Sequence, residues 1–174
     1  MERKSLSAVD IHFLVKEWTS LEKGKIDGLF QYNNIFYIQL HLPNVGKKML
    51  KVALPEFMFL TDTKEDQSQA SSFLALLRKY CLNTRIKKIE QYQHERIVIL
   101  TIETKESELK LIIELFSKGN MILCDQQNMI IGNLTSKKWS QREIKAKVKY
   151  EFPQSVNAFA LQQKEFEALI QQST

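Results

Sequence analysis

The chain has 174 residues, 44% of them hydrophobic and 26% charged, with a net charge of +5 and a sequence pI near 9.1. That balance fits one folded domain, alone or with a short appendage, and excludes a largely disordered chain; five Gly and three Pro leave no room for a long low-complexity linker. No apolar run approaches the roughly 20 residues of a bilayer span. The start Met1-Glu2-Arg3-Lys4-Ser5 leads into charged positions instead of a signal peptide, so a cytoplasmic protein with no membrane partner is expected.

The first element is a predicted helix over 8–22. Ser7 stands three residues before Asp10, as in a capping box, and Ile11, Leu14, Val15, Trp18 and Leu21 recur at helical spacing before Gly24 stops the run. Strands follow over 26–32 and 35–42, joined at Asn33-Asn34 as a hairpin. Further strands are predicted over 49–54 and 57–60, then a polar loop over 61–71. A second helix runs from about Ser72 to Leu82, with Phe73, Leu76, Leu77, Tyr80 and Cys81 as its apolar stripe. Ile97 to Ile102 is apolar on both faces and suits a buried strand. Alternation at Leu109, Leu111, Ile113 and Leu115, a turn at Gly119-Asn120, and strands 121–124 and 129–131 complete an antiparallel meander. From Pro153 the composition shifts. Residues 1–152 form the predicted domain, and 157–174 reads as a helix that opens a following region. The expected fold class is α+β, two helices packed on antiparallel strands in two small sheets.

Chemistry-bearing motifs are sparse. The glycines are isolated, which excludes a Walker loop, a dinucleotide-binding turn and a nucleophile elbow. His12, His41 and His94 are scattered, and Cys81 and Cys124 lack partners at metal-ligand spacing, so no metal or cofactor is expected and both thiols read as buried and reduced. Positive charge gathers at Arg78, Lys79, Arg85, Lys87 and Lys88, and again at Lys137, Lys138, Arg142, Lys145, Lys147 and Lys149, where Glu143 is the one acid. Arg78, Lys79, Arg85, Lys137, Lys138, Arg142 and Lys145 are candidate phosphate contacts; the alternative is ordinary solvated surface. Asp10 is either a helix-start acid or a ligand-facing carboxylate. Glu95-Arg96, before the apolar strand, is either a surface ion pair or a fork that reads RNA, with Arg donating and the carboxylate accepting. Glu114, inside an apolar strand, is structural and paired.

Three segments carry a family resemblance: Ser5-Leu6-Ser7-Ala8-Val9-Asp10 before an amphipathic helix; Ser72 to Leu82 leading into Arg85-Ile86; and Leu111-Ile112-Ile113-Glu114-Leu115-Phe116-Ser117-Lys118-Gly119-Asn120-Met121-Ile122-Leu123-Cys124-Asp125. Together they resemble the N-terminal domain of the NFACT family over about residues 5 to 134. The resemblance implies a fold related to the N-terminal domain of formamidopyrimidine-type DNA glycosylases. It also implies binding to large ribosomal subunits that carry peptidyl-tRNA, and recruitment of tRNA for template-free tailing of the nascent chain. The ribosome supplies peptide-bond chemistry in that scheme, so the chain is expected not to be an enzyme. The family's helix-start acid and its Asp-Arg pair, both linked to tRNA recognition, map onto Asp10 and Glu95-Arg96. Glu95 departs from the family's Asp, moving the carboxylate out by about 1.5 Å. The alternative is a nucleic-acid-processing enzyme of the glycosylase-like fold, against which Met1-Glu2 offers no N-terminal proline nucleophile.

Overall fold

The computed structural model describes residues 4–65, 70–139 and 142–153; the predicted helix over 157–174 lies outside them. Helix α1 spans Ala8–Trp18 and tightens into a 3-10 turn at Thr19–Leu21. Strands β1 (Lys25–Tyr32), β2 (Ile35–Leu42), β3 (Gly46–Ala53) and β4 (Phe57–Thr61) precede helix α2 (Ser72–Cys81). Then come β5 (Arg85–Gln91), β6 (Ile97–Glu103), β7 (Glu108–Glu114), β8 (Asn120–Cys124) and β9 (Ile130–Asn133), and the two-residue strands β10 (Lys137–Lys138) and β11 (Glu143–Ile144).

Two helices on antiparallel strands match the expected class, but the sheet count is corrected. β1 to β9 form one nine-stranded sheet in the order β4-β3-β2-β1-β5-β6-β7-β8-β9, and β10–β11 make a separate ribbon. Two antiparallel meanders are present, as two small sheets would require, yet they join where Lys25 pairs with Arg85. Ile26 N–H donating to Thr84 O and Ile86 N–H donating to Gly24 O reinforce that seam. The sheet curls so that both meanders face one core. Phe36, Ile38, Leu50 and Val52 of the first share a buried cluster with Val98, Leu100, Leu111, Ile113 and Leu123 of the second, together with Ile11 and Trp18 of α1 and Phe73, Leu74 and Leu77 of α2.

The opposite face of β6–β8 explains why β6 is apolar on both sides. Ile97, Ile99, Ile112, Ile122 and Cys124 pack there against Ile144 and Tyr150 from the chain's later segment. Both thiols are buried and unbridged, and burial pushes each up to about 12.

Local chemistry sets the turns. Tyr32 pairs with Ile35 across Asn33, whose φ of 51° suits asparagine in a tight hairpin. Gly119 has φ +71°, and an added Cβ would lie 2.8 Å from Leu54 Cβ and 3.1 Å from Pro55 Cα. Glycine is therefore required there twice, for conformation and for space. The end of α1 differs from expectation: the helix proper stops at Trp18, and the left-handed residue is Lys23 (φ 68°), not Gly24. Gly24 is needed for close approach, since its Cβ would sit 2.8 Å from Leu21 O.

Candidate nucleic-acid interface

At one end of the strands, four turns and a helix start converge. Ser7 caps α1: its Oγ accepts from Asp10 N–H at 3.1 Å, while Asp10 Oδ2 accepts from Ser7 N–H at 2.8 Å and from Ser7 Oγ at 2.7 Å. This is the capping box expected from the spacing, so part of the Asp10 carboxylate serves the helix start. The chain's entry is tied down by Leu6 N–H donating to Glu56 O at 2.8 Å.

The turn 92–96 is held beside that helix start by Gln91. Its Nε2 donates to Ala8 O at 2.9 Å and to Glu95 O at 2.8 Å, so one amide bridges the first turn of α1 and the Glu95 backbone. Asp10 and Glu95-Arg96 are thereby brought to the same end of the domain.

The exposed surface expected for the pair is corrected for both residues. Both residues are half-buried, and Arg96 Nη2 donates to Pro55 O at 3.2 Å while its Nε is buried without a hydrogen-bond partner among the described residues. Arg96 thus turns inward to brace the β3–β4 turn, and its removal costs folding energy. Glu95 makes no side-chain hydrogen bond or ion pair among the described residues, which leaves its carboxylate available.

Beside these polar groups lies an apolar hollow of about 340 Å³ lined by Ala8, Val9, His12, Phe13 and His94. Val9 and Phe13 are more than half exposed, at 53% and 59%. The His12 ring meets Phe13 edge-on at 5.4 Å and lies 6.5 Å from the His94 ring. None of these residues was singled out as a group by sequence reasoning. The signal was there: Val9 and Phe13 fall outside the buried stripe of α1 and are large apolar groups on its open side.

The two basic groups fare differently. In the first, Arg78 Nε and Nη2 donate to Leu29 O at 3.0 and 2.8 Å, tying α2 to β1. Arg85 donates to Lys23 O at 3.1 Å, Lys87 pairs with Glu108 and Lys88 with Glu90. Lys79 is exposed, over the Tyr80 ring at 5.2 Å. These residues sit at or toward the far end of the sheet, since β5 runs from Arg85 to Gln91, roughly 20 Å along the strand. A hollow there mixes Lys79, Arg85 and Lys105 with Glu103, Glu106 and Asp125, and the acids offset its attraction for phosphate.

The second group starts near the converging turns and runs away from them: Lys147 N–H donates to Ile130 O and Lys149 bridges to Met129, level with Cys124, Lys110 and Lys88 across the sheet. Buried Glu114 accepts from Arg142 Nη2 and, at 2.9 Å, from Tyr150 Oη, and Arg142 Nε donates to Glu151 O at 2.7 Å. Burial, and then the Glu114 carboxylate, push the Tyr150 phenol well above its ordinary range. Arg142 is therefore an anchor and is withdrawn from the candidate phosphate contacts. Lys138, Lys145, Lys147 and Lys149 remain exposed, with Lys137 half-buried. The Tyr92 ring stacks on Phe152 at 3.9 Å, which ties this segment to the 92–96 turn.

Among the described residues no group of three His, Cys, Asp or Glu could hold a metal ion, and no helix is long and apolar enough to cross a membrane.

Known proteins resemble this chain in sequence and fold. The chain is 33% identical over 158 residues to the archaeal Rqc2 homolog aRqcH of Methanocaldococcus jannaschii, covering 87% of this chain and 24% of that protein. It is 24% identical over 158 residues to the mouse ribosome quality control complex subunit NEMF, covering 87% of this chain and 14% of that one. The chain thus spans about a quarter of the first relative's length and less of the second. Its fold superposes on the crystal structure of the N-terminal domain of the fibronectin-binding protein PavA from Streptococcus pneumoniae with a TM-score of 0.80 and 27% identity, covering 94% of this chain and 68% of that one. The family model for NFACT N-terminal and middle domains matches residues 7–174, and the chain belongs to the NFACT family.

Proposed function

We propose that this chain is the RNA-binding module of a ribosome quality-control factor, and that it positions tRNA on a large ribosomal subunit carrying peptidyl-tRNA without itself catalysing a reaction. Relatives named as ribosome quality-control factors support the setting. The observation that carries the reading is the bridge through Gln91, which puts the helix start bearing Asp10 beside the turn bearing Glu95 and Arg96. The Glu95 carboxylate, with no partner among the described residues, and the remaining N–H groups of Arg96 at the same turn supply an acceptor and donors for base edges. The apolar hollow offers rings on which an unstacked base can lie. Positioning tRNA for template-free tailing of the stalled chain is the role that follows, in a cytoplasmic setting and on a fold kin to the glycosylase N-terminal domain.

Glu95 gives the cleanest test, because its carboxylate makes no hydrogen bond or ion pair among the described residues. In a tRNA-binding titration, Glu95→Gln should weaken affinity by about 1–3 kcal/mol, the discrimination of one well-placed base contact. Glu95→Asp should retain binding. If Glu95→Gln and Asp10→Ala both bind as the parent does, the site is elsewhere. Release of bases from labelled nucleic acid by the purified chain would favour the enzyme reading instead.

A further inference from the structure

The tip of the β10–β11 ribbon carries a feature that the proposed site does not use. Trp139 is 44% exposed, whereas the chain's other tryptophan, Trp18, is 1% exposed in the core. Burying an indole is strongly favourable, and Trp139 leaves much of that gain unused. The Trp139 backbone is also held in place: its main-chain N–H donates to Arg142 O at 2.8 Å, closing the ribbon. The Arg142 guanidinium lies over the indole at 5.5 Å, and Lys137 Nζ lies over it at 5.8 Å. Arg142 cannot drift, because buried Glu114 and Glu151 O hold it. The result is a ring fixed by an anchored cation, with exposed Lys138 and Lys145 on and just after the ribbon and exposed Lys147 and Lys149 farther along, beside Ile130 and Met129. Acids are scarce there, Glu143 being the only one between Lys137 and Lys149. An apolar protein partner would not call for such a rim of lysines, whereas a polyanion that also carries flat rings would.

We infer that Trp139 is a stacking platform for one unpaired nucleobase of an RNA strand whose phosphates run along Lys138, Lys145, Lys147 and Lys149. The chemistry needed is aromatic stacking, which tolerates any base, together with phosphate neutralisation. This second contact rests on the RNA-binding reading and lies apart from Asp10 and Glu95, on the other face of β6–β8.

Fluorescence reads it directly, since buried Trp18 serves as an internal reference. Adding single-stranded oligouridylate to the 174-residue chain should quench the Trp139 component, while a blunt RNA duplex or heparin at equal charge should not. Trp139→Ala should weaken oligouridylate binding by about 5- to 100-fold, the range of one base–aromatic stack, with the salt slope unchanged. Trp139→Phe should restore most of the affinity. Equal quenching by heparin, or parental affinity in Trp139→Ala, would overturn the platform while leaving tRNA binding through Glu95 intact. A drop in melting temperature with unchanged RNA affinity would make Trp139 an internal packing residue and also overturn it. A parent chain that binds neither oligouridylate nor tRNA would sink both readings.

Discussion

The groups around Arg78–Lys88 and Lys137–Lys149 have similar charge in sequence and opposite fates in the fold. In the first, Arg78 and Arg85 donate to backbone carbonyls and Lys87 and Lys88 pair with Glu108 and Glu90. The fold has spent those cations on its own acceptors. In the second, Glu114 holds Arg142, while Lys138, Lys145, Lys147 and Lys149 are exposed with no ion pair among the described residues, and the Trp139 indole is open. A count of positive residues therefore misplaces an interface unless the acceptors facing each residue are known. The useful pattern is one buried pair beside a run of exposed cations that form no ion pair among the described residues.

Breaking the anchor should have the largest effect. Glu114→Ala leaves Arg142 mostly buried and uncompensated and removes the acceptor of Tyr150, so it should destabilise the domain by about 3–5 kcal/mol. Thermal and chemical denaturation would check this; a loss under about 1 kcal/mol would mean that the ribbon is not held as described. At the same end of the strands, Gly119→Val meets both a disfavoured φ and the Leu54–Pro55 turn that Arg96 braces. It should cost at least about 2 kcal/mol, a fall of several degrees in Tm. An unchanged melting curve would dissolve the convergence of turns. At the other group, Arg78→Ala should cost about 1–3 kcal/mol, because the Leu29 carbonyl loses a charged donor. Its tRNA affinity, measured on the folded variant, should stay at the parental value. Weaker binding would return Arg78 to the interface.

Much of this was legible in the sequence where local chemistry and burial agree. Ser7 and Asp10 announce a helix start because the capping box is local, and Asn33 and Gly119 announce turns because few other residues accept those angles. β6 was legible because Val98, Leu100 and Ile102 face one core and Ile97 and Ile99 another. β5 was not singled out as a strand. Its sequence Arg85 to Gln91 buries only Ile86 and Ile89, and an irregularity between Ile86 and Lys88 breaks the alternation that marks a strand. The single sheet was hidden for a related reason, since the two meanders meet at the short Lys25–Arg85 seam, which leaves no hydrophobic signature. At the site, the placement of Asp10 and Glu95 at element starts was readable, whereas the inward turn of Arg96 depends on Pro55, far away in sequence. The anchoring role of Arg142 likewise depends on Glu114, which was expected to be half-buried and paired but is fully buried, on a partner that was not foreseen.

The salt dependence of tRNA binding tests the contrast between the two groups most directly. Neutralising Lys138, Lys145, Lys147 and Lys149 to Gln, with Arg142 left in place, should flatten the slope of log affinity against log salt by about one for each lysine that meets a phosphate. Neutralising Lys87 and Lys88 in the same way should leave the slope unchanged. The reverse pattern, a slope that falls with Lys87 and Lys88 and holds without the ribbon lysines, would contradict the account.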